Sequence, residues 1–141
     1  MSSAIHEGGC LCGAIRYRAT AEPVAVTRCH CRSCRLAAGA PSLAWTVFPS
    51  GHFAFIAGEP KRFRSSADVV RTFCGTCGTS IGWQRDARHA TIDITTATLD
   101  QPDAFAPTCE IWTEHKLAWE TLDPSLPQHL RSSREGAPDN G

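Results

Sequence analysis

The chain has 141 residues, of which 42% are apolar and 20% charged, the composition of one globular domain and not of a disordered segment. Its 14 Lys and Arg balance 14 Asp and Glu, so it lacks the basic excess that nucleic acids and anionic membranes demand. The opening MSSAIHEGG has neither the basic start nor the apolar stretch of a secretory signal, and the longest apolar run, Leu43 to Phe48, is far too short to span a bilayer, so a cytoplasmic protein is expected.

Polar residues and Gly8-Gly9 lead into Cys10-Leu11-Cys12-Gly13. Alternation of apolar and polar residues predicts a strand over Ala14 to Arg18, and Val24 to Thr27 reads as a second strand that ends at Cys29-His30-Cys31-Arg32-Ser33-Cys34. Arg35 to Ala38 predicts a helical turn, broken by Gly39 and Pro41. Strands follow at Leu43 to Phe48, Phe53 to Ile56 and Lys61 to Arg64, separated by Pro49-Ser50-Gly51 and Gly58-Glu59-Pro60. Val69 to Phe73 is rich in β-branched residues and runs directly into Cys74-Gly75-Thr76-Cys77-Gly78. Ser80 to Gln84 and Ala90 to Thr95 predict a hairpin around Arg85 to Arg88, and Cys109 to Thr113 predicts a last strand. Many short strands without a long helical period predict a mostly β single domain over 1–130, followed by a disordered tail over 131–141.

The cysteines fall at C-x-C (10, 12), C-x-C-x-x-C (29, 31, 34) and C-x-x-C (74, 77), with Cys109 alone. In a reducing compartment such clusters predict metal ligands, not disulfides. A zinc ion holds four ligands tetrahedrally, each thiolate at about 2.3 Å, and cysteines two or three apart on a tight turn reach two corners of that tetrahedron. Two such pairs close one site and leave three ligands for another. A closed set of four is structural, whereas three ligands with an open fourth position suit catalysis. Two partitions satisfy the spacing. Cys10, Cys12, Cys74 and Cys77 share one zinc and Cys29, Cys31 and Cys34 hold a second, or Cys31, Cys34, Cys74 and Cys77 form a zinc ribbon that strands Cys10, Cys12 and Cys29. The first keeps every cluster intact and is preferred.

Around these ligands, CLCG at 10–13, CHCRSCR at 29–35 and FCGTCG at 73–78 resemble the glutathione-dependent formaldehyde-activating enzyme family, which includes centromere protein V-like zinc domains. GEPKRFRSS at 58–66, Ile81-Gly82-Trp83 and EIWTEHKLAW at 110–119 extend the resemblance from about Gly9 to Leu126. It implies a β-tent fold of antiparallel sheets. It implies two zinc ions per chain, a structural one on Cys10, Cys12, Cys74 and Cys77 and a catalytic one on Cys29, Cys31 and Cys34. It also implies a carbon–sulfur lyase run in the synthetic direction, joining glutathione and formaldehyde into S-(hydroxymethyl)glutathione. One position departs from the pattern: Glu110 stands where members often carry His, which touches no metal ligand but bears on substrate contact.

Zinc on the triplet would deprotonate a small thiol such as glutathione beside an aldehyde, because coordination lowers a thiol pKa of about 8.5. Arg28, Arg32 and Arg35 bracket the triplet as candidate cations for that site or for a substrate carboxylate, and His30 sits between two ligands as a candidate ligand or proton shuttle. Cys109 reads as a small buried hydrophobe, Trp45, Trp83, Trp112 and Trp119 as core or pocket wall, and His89, His115 and His129 as surface residues. The alternatives are a zinc-stabilised binding module without catalysis, in which a fourth protein ligand closes the triplet, and a thiol redox sensor.

Overall fold

The strand-forming runs assemble into two sheets, described by a computed structural model over residues 4–133. In chain order the elements are β1 (His6–Gly9), β2 (Arg16–Ala19), β3 (Ala25–Cys29), helix α1 (Arg32–Ala38), β4 (Leu43–Pro49), β5 (Phe53–Ala57), β6 (Lys61–Ser66), β7 (Val69–Phe73), β8 (Ser80–Arg85), β9 (Thr91–Thr95) and β10 (Cys109–Ile111). A three-stranded sheet has the order β1-β2-β5, and a seven-stranded sheet the order β10-β3-β4-β9-β8-β7-β6. The mostly β, two-sheet domain anticipated from turn spacing is the fold observed.

Two features depart from the strand assignment made on sequence. The sequence of β1 is a polar lead-in, because Glu7-Gly8-Gly9 carries no apolar alternation. Its pairing with β2 explains the glycine: Gly8 lies opposite Tyr17, and a Cβ at Gly8 would stand 2.4 Å from the Tyr17 hydroxyl oxygen. The second departure is β10, which pairs parallel with β3, whereas the sheets were expected to be antiparallel throughout. Residues 96–108 carry the chain from β9 past β4 and β3 to the sheet edge, and this crossover sets β10 down in the direction of β3.

Away from its exposed edge strand β6, the seven-stranded sheet buries side chains on both faces; the period of two sorts them except in β8, where a register shift against β7 puts Ile81 and Trp83 in different clusters. One face meets the three-stranded sheet. Phe48, Ile81, Ile92 and Ile94 pack there against Ile15, Tyr17 and Leu99 in the main apolar core. Each such side chain contributes roughly 1.5–3 kcal/mol of burial free energy. The opposite face carries Cys29, Trp45, Val69 and Trp83, covered by α1 through Cys31 and Cys34 and by Ile111 and Trp112. α1 is longer than the single turn expected. It starts at Arg32, because Cys31 caps it, and it ends where the Gly39 N–H bonds back to the Arg35 carbonyl at 2.7 Å.

The tail expected over 131–141 lies outside the described residues from 134 onward. Arg131 is within them: its carbonyl accepts the Trp112 N–H at 2.9 Å, and its Nε donates to Glu114 at 2.7 Å. Among the described residues no helix is long and apolar enough to cross a membrane.

Candidate metal centre

Among the described residues, which include all eight cysteines, no disulfide is formed. Seven of them fall into two groups whose sulfurs lie within 4.8 Å of one another: Cys10, Cys12, Cys74 and Cys77, and Cys29, Cys31 and Cys34. Cys31 and Cys34 stand with Cys29 and apart from Cys74 and Cys77, so the ribbon set is not the one brought together.

The group of four is built from two turns on different sheets. Cys10 and Cys12 follow β1, and Cys74 and Cys77 follow β7. The second turn is a knuckle in which the Thr76 and Cys77 N–H groups both point at the Cys74 sulfur, at 3.4 Å each. Gly78 closes it with φ +82°, a left-handed conformation that side chains with a Cβ resist. The Cys10–Cys12 and Cys12–Cys74 sulfur separations are 3.6 and 3.8 Å. Those lengths are far from a disulfide of about 2.05 Å and match the edge of about 3.8 Å that four sulfurs at about 2.3 Å from one zinc would span. The Thr79 hydroxyl and N–H draw the Cys77 thiol down to about 5. The Ala14 N–H favours the Cys12 thiolate, but the sulfurs of Cys10, Cys77 and Cys74 together with burial push that thiol up to about 11. Sulfurs this close cannot all ionise against one another, and a divalent cation at their centre reverses that balance.

The triplet comes from one six-residue segment that joins β3 to α1. The Cys31 N–H points at the Cys29 sulfur (3.5 Å), and the Cys34 N–H at the Cys31 sulfur (3.3 Å). Cys29 and Cys34 are fully buried and Cys31 is 5% exposed. The neighbouring sulfurs of Cys31 and Cys34, with burial, push the Cys29 thiol well above its usual range. The hydrogen bond with Cys29 favours the Cys34 thiolate, yet Cys31 and burial raise that thiol to about 11. The donor set, three thiols convergent and buried, suits a soft cation of the zinc class.

The surroundings of the triplet were only partly foreseen. Arg28 and His30 turn away from the sulfurs toward Glu110, which is fully buried. Glu110 accepts from Arg28 Nε at 2.8 Å, His30 Nε2 at 2.7 Å and the Asp123 N–H at 2.7 Å. Burial alone would raise its carboxyl, but Arg28, the Asp123 N–H and His30 hold it at about 2. Glu110 is thus the buried anion that ties β10, β3 and the loop at Asp123 together, not an exposed substrate contact, and His30 offers its Nε2 to that anion and not to a metal. Arg32 is exposed and Arg35 half-buried.

The cation against the sulfurs is Arg71 of β7, whose Nη2 and Nη1 lie 3.8 and 3.9 Å from the Cys34 sulfur. Sequence reasoning passed over it, although a charged residue inside the β-branched run Val69 to Phe73 is itself a signal of a buried partner. Trp45, Trp83 and Trp112 pack with the triplet, and the indole N–H groups of Trp83 and Trp112 are buried without a hydrogen-bond partner among the described residues. Trp112 holds φ +57°, the one positive φ outside glycine among the described residues. Trp119 is 71% exposed, so it is neither core nor a wall of this site. Cys109 packs at the edge of the triplet's apolar cluster outside both sulfur groups, His89 and His115 are exposed, and His129 is half-buried. A groove of about 300 Å³ between Ala37-Ala38 of α1 and the Cys77–Ser80 turn includes Leu43, the cross-strand neighbour of Cys29.

Comparison with known proteins places this geometry. A crystal structure of a Rhodobacter sphaeroides protein superposes with a TM-score of 0.57 at 22% identity, covering 67% of this chain and 87% of that one, which shows a shared fold. A Schizosaccharomyces pombe protein described as an uncharacterized lyase is 36% identical over 76 residues, 54% of this chain. The chain spans only about half of that relative, 55% of its length. The model of the family described as glutathione-dependent formaldehyde-activating enzyme matches residues 5–115, most of the described fold and all seven clustered cysteines. The chain therefore belongs to the glutathione-dependent formaldehyde-activating enzyme family.

Proposed function

We propose that this protein is a zinc-dependent lyase that joins a small thiol, glutathione or a close analogue, to an aldehyde such as formaldehyde. The observation that carries the reading is the inequality of the two sulfur groups: four ligands in one, three in the other. A set of four completes a tetrahedron and leaves nothing for a substrate; a set of three leaves one position. The fungal relative described as a lyase supports the reaction class, and the family description supports glutathione and formaldehyde as the pair.

Cys10, Cys12, Cys74 and Cys77 would hold a structural zinc, and Cys29, Cys31 and Cys34 the working one. Zinc at the triplet supplies the positive charge that keeps a thiol ionised near neutral pH. The chain's own residues do the rest. The backbone N–H groups of Cys31 and Cys34 fix the ligand sulfurs. Trp45, Trp83 and Trp112 exclude water around the sulfurs, and the unpaired indole N–H groups of Trp83 and Trp112 are donors for a polar ligand atom. In the overall reaction the thiol sulfur bonds to the aldehyde carbon, the carbonyl π bond breaks, and the oxygen takes up the proton that the thiol gave.

The test is condensation of glutathione with formaldehyde, followed by NMR and compared with the spontaneous reaction. Acceleration by the wild-type protein that is lost in Cys29→Ser and Cys31→Ser supports the reading. No acceleration with glutathione or with other small thiols, in protein carrying two zincs, contradicts it.

A further inference from the structure

A second property follows from what faces the triplet across the sheet. Arg71 comes from β7, remote in sequence from the cysteine segment, and is 6% exposed. Its Nε donates to the Ser65 hydroxyl at 3.2 Å, and both terminal nitrogens face the Cys34 sulfur. In the sheet it stands between Phe63 and Trp83, so its stem is held on both sides. A buried guanidinium is costly unless an anion accompanies it. Here the Cys34 sulfur is such an anion when it ligates a cation.

We propose that Arg71 is the positioning residue of the triplet: it holds the Cys34 ligand and offsets the negative charge of the loaded site, so that the site tolerates a further anionic sulfur from the substrate. The inference rests on the function proposed above. Its basis is charge counting. A divalent cation with three thiolates carries one net negative charge, and an incoming thiolate makes two. The sulfurs are buried, so water cannot disperse that charge as it can for the exposed Cys12 of the other group. Of the cations nearest in sequence, Arg28 is bound to Glu110 and Arg32 faces solvent. A fork of two N–H donors on one ligand atom also fixes the direction of that ligand, which a lysine does less well.

The test uses the full chain with Arg71→Met, Arg71→Gln and Arg71→Lys. Zinc affinity is read by competition with a chromophoric chelator, glutathione affinity by titration, and the ligand field from the sulfur-to-metal absorption of the cobalt(II)-loaded protein. Arg71→Met should keep one zinc tightly bound and release the second about tenfold more easily, the size of effect seen when a partner of a metal ligand is lost. Glutathione affinity should fall by at least as much, and the cobalt absorption should shift. Arg71→Lys, which keeps the charge, should recover most of the zinc affinity and less of the absorption spectrum. Wild-type zinc and glutathione affinities in Arg71→Met would overturn the inference. Should Arg71→Met fail to fold, Arg71→Gln decides, because it keeps hydrogen bonding and loses only charge: a wild-type zinc affinity in that variant also overturns it. If the wild-type protein holds one zinc, unchanged by Cys31→Ser, the triplet is not loaded and both readings fall; two zincs, one of them weakened in Arg71→Met, without acceleration of thiol addition would overturn the function proposed above and leave the role of Arg71 standing.

Discussion

The two sulfur groups use the same ligand type at similar spacing, yet they do opposite things to the chain. The group of four joins the turn after β1, in the three-stranded sheet, to the turn after β7, in the seven-stranded sheet. A cation there closes a loop of more than sixty residues and clamps one sheet to the other. The triplet lies within one segment, at the end of β3 and the start of α1, and closes no long loop. Stability gained from a cross-link grows with the length of chain it closes, which supports the structural role proposed for the first group and leaves the second for the proposed chemistry. Exposure runs the same way. Cys12 lies at the surface although Cys74 is buried, whereas all three triplet sulfurs are buried among three tryptophans and an arginine, where charge matters most.

Mutations can break this contrast. The largest effect is expected at Cys74→Ser. It should remove most of a net stability that for such domains is on the order of 10 kcal/mol, and abolish cooperative melting followed by circular dichroism. Cys31→Ser should melt cooperatively near the wild-type temperature while losing one zinc and all acceleration of thiol addition. A failure of Cys31→Ser to fold would erase the division of labour.

Glu110→Gln comes next. It leaves Arg28 and His30 facing a neutral, buried amide and should cost about 3 kcal/mol by chemical denaturation. Its pH dependence has a definite sign. The folded carboxyl is held at about 2, below its ordinary 4.5, so its contribution is complete above about pH 4.5 and is lost as the pH falls toward 2. The stability gap between wild type and Glu110→Gln should narrow over that interval. The smallest effect is expected at Gly78→Ala. Among the described residues no atom beyond the two chain neighbours lies within 4 Å of the added methyl, so only the left-handed backbone is penalised, at about 1–2 kcal/mol. That loss should be seen in the melting temperature with zinc content unchanged.

Much of this arrangement was legible in the residues themselves. Strands β2 to β9 follow from alternation and β-branched runs, and the intact cysteine clusters assemble as spacing suggested. What escaped depends on contacts that are far apart in the chain. β1 is a strand because Tyr17 covers Gly8, and β10 is parallel because a crossover delivers it, neither of which leaves a periodic signal. Arg28 and His30 stand among the ligands in sequence but belong to Glu110 in space, while Arg71, remote in sequence, faces Cys34. Adjacency along the chain identified the ligands, because turns bring near neighbours together. It failed for their surroundings, because sheet pairing decides which side chain faces which.

The proposed function requires the triplet to be a second, open metal site separate from the one that stabilises the fold. Zinc per chain, measured on wild type and Cys31→Ser together with a glutathione titration, tests it most directly. Two zincs and glutathione binding are expected in the wild type, and one zinc, an intact fold and no glutathione binding in Cys31→Ser. One zinc in both proteins, with no glutathione binding in either, would contradict it and favour a zinc-stabilised binding module.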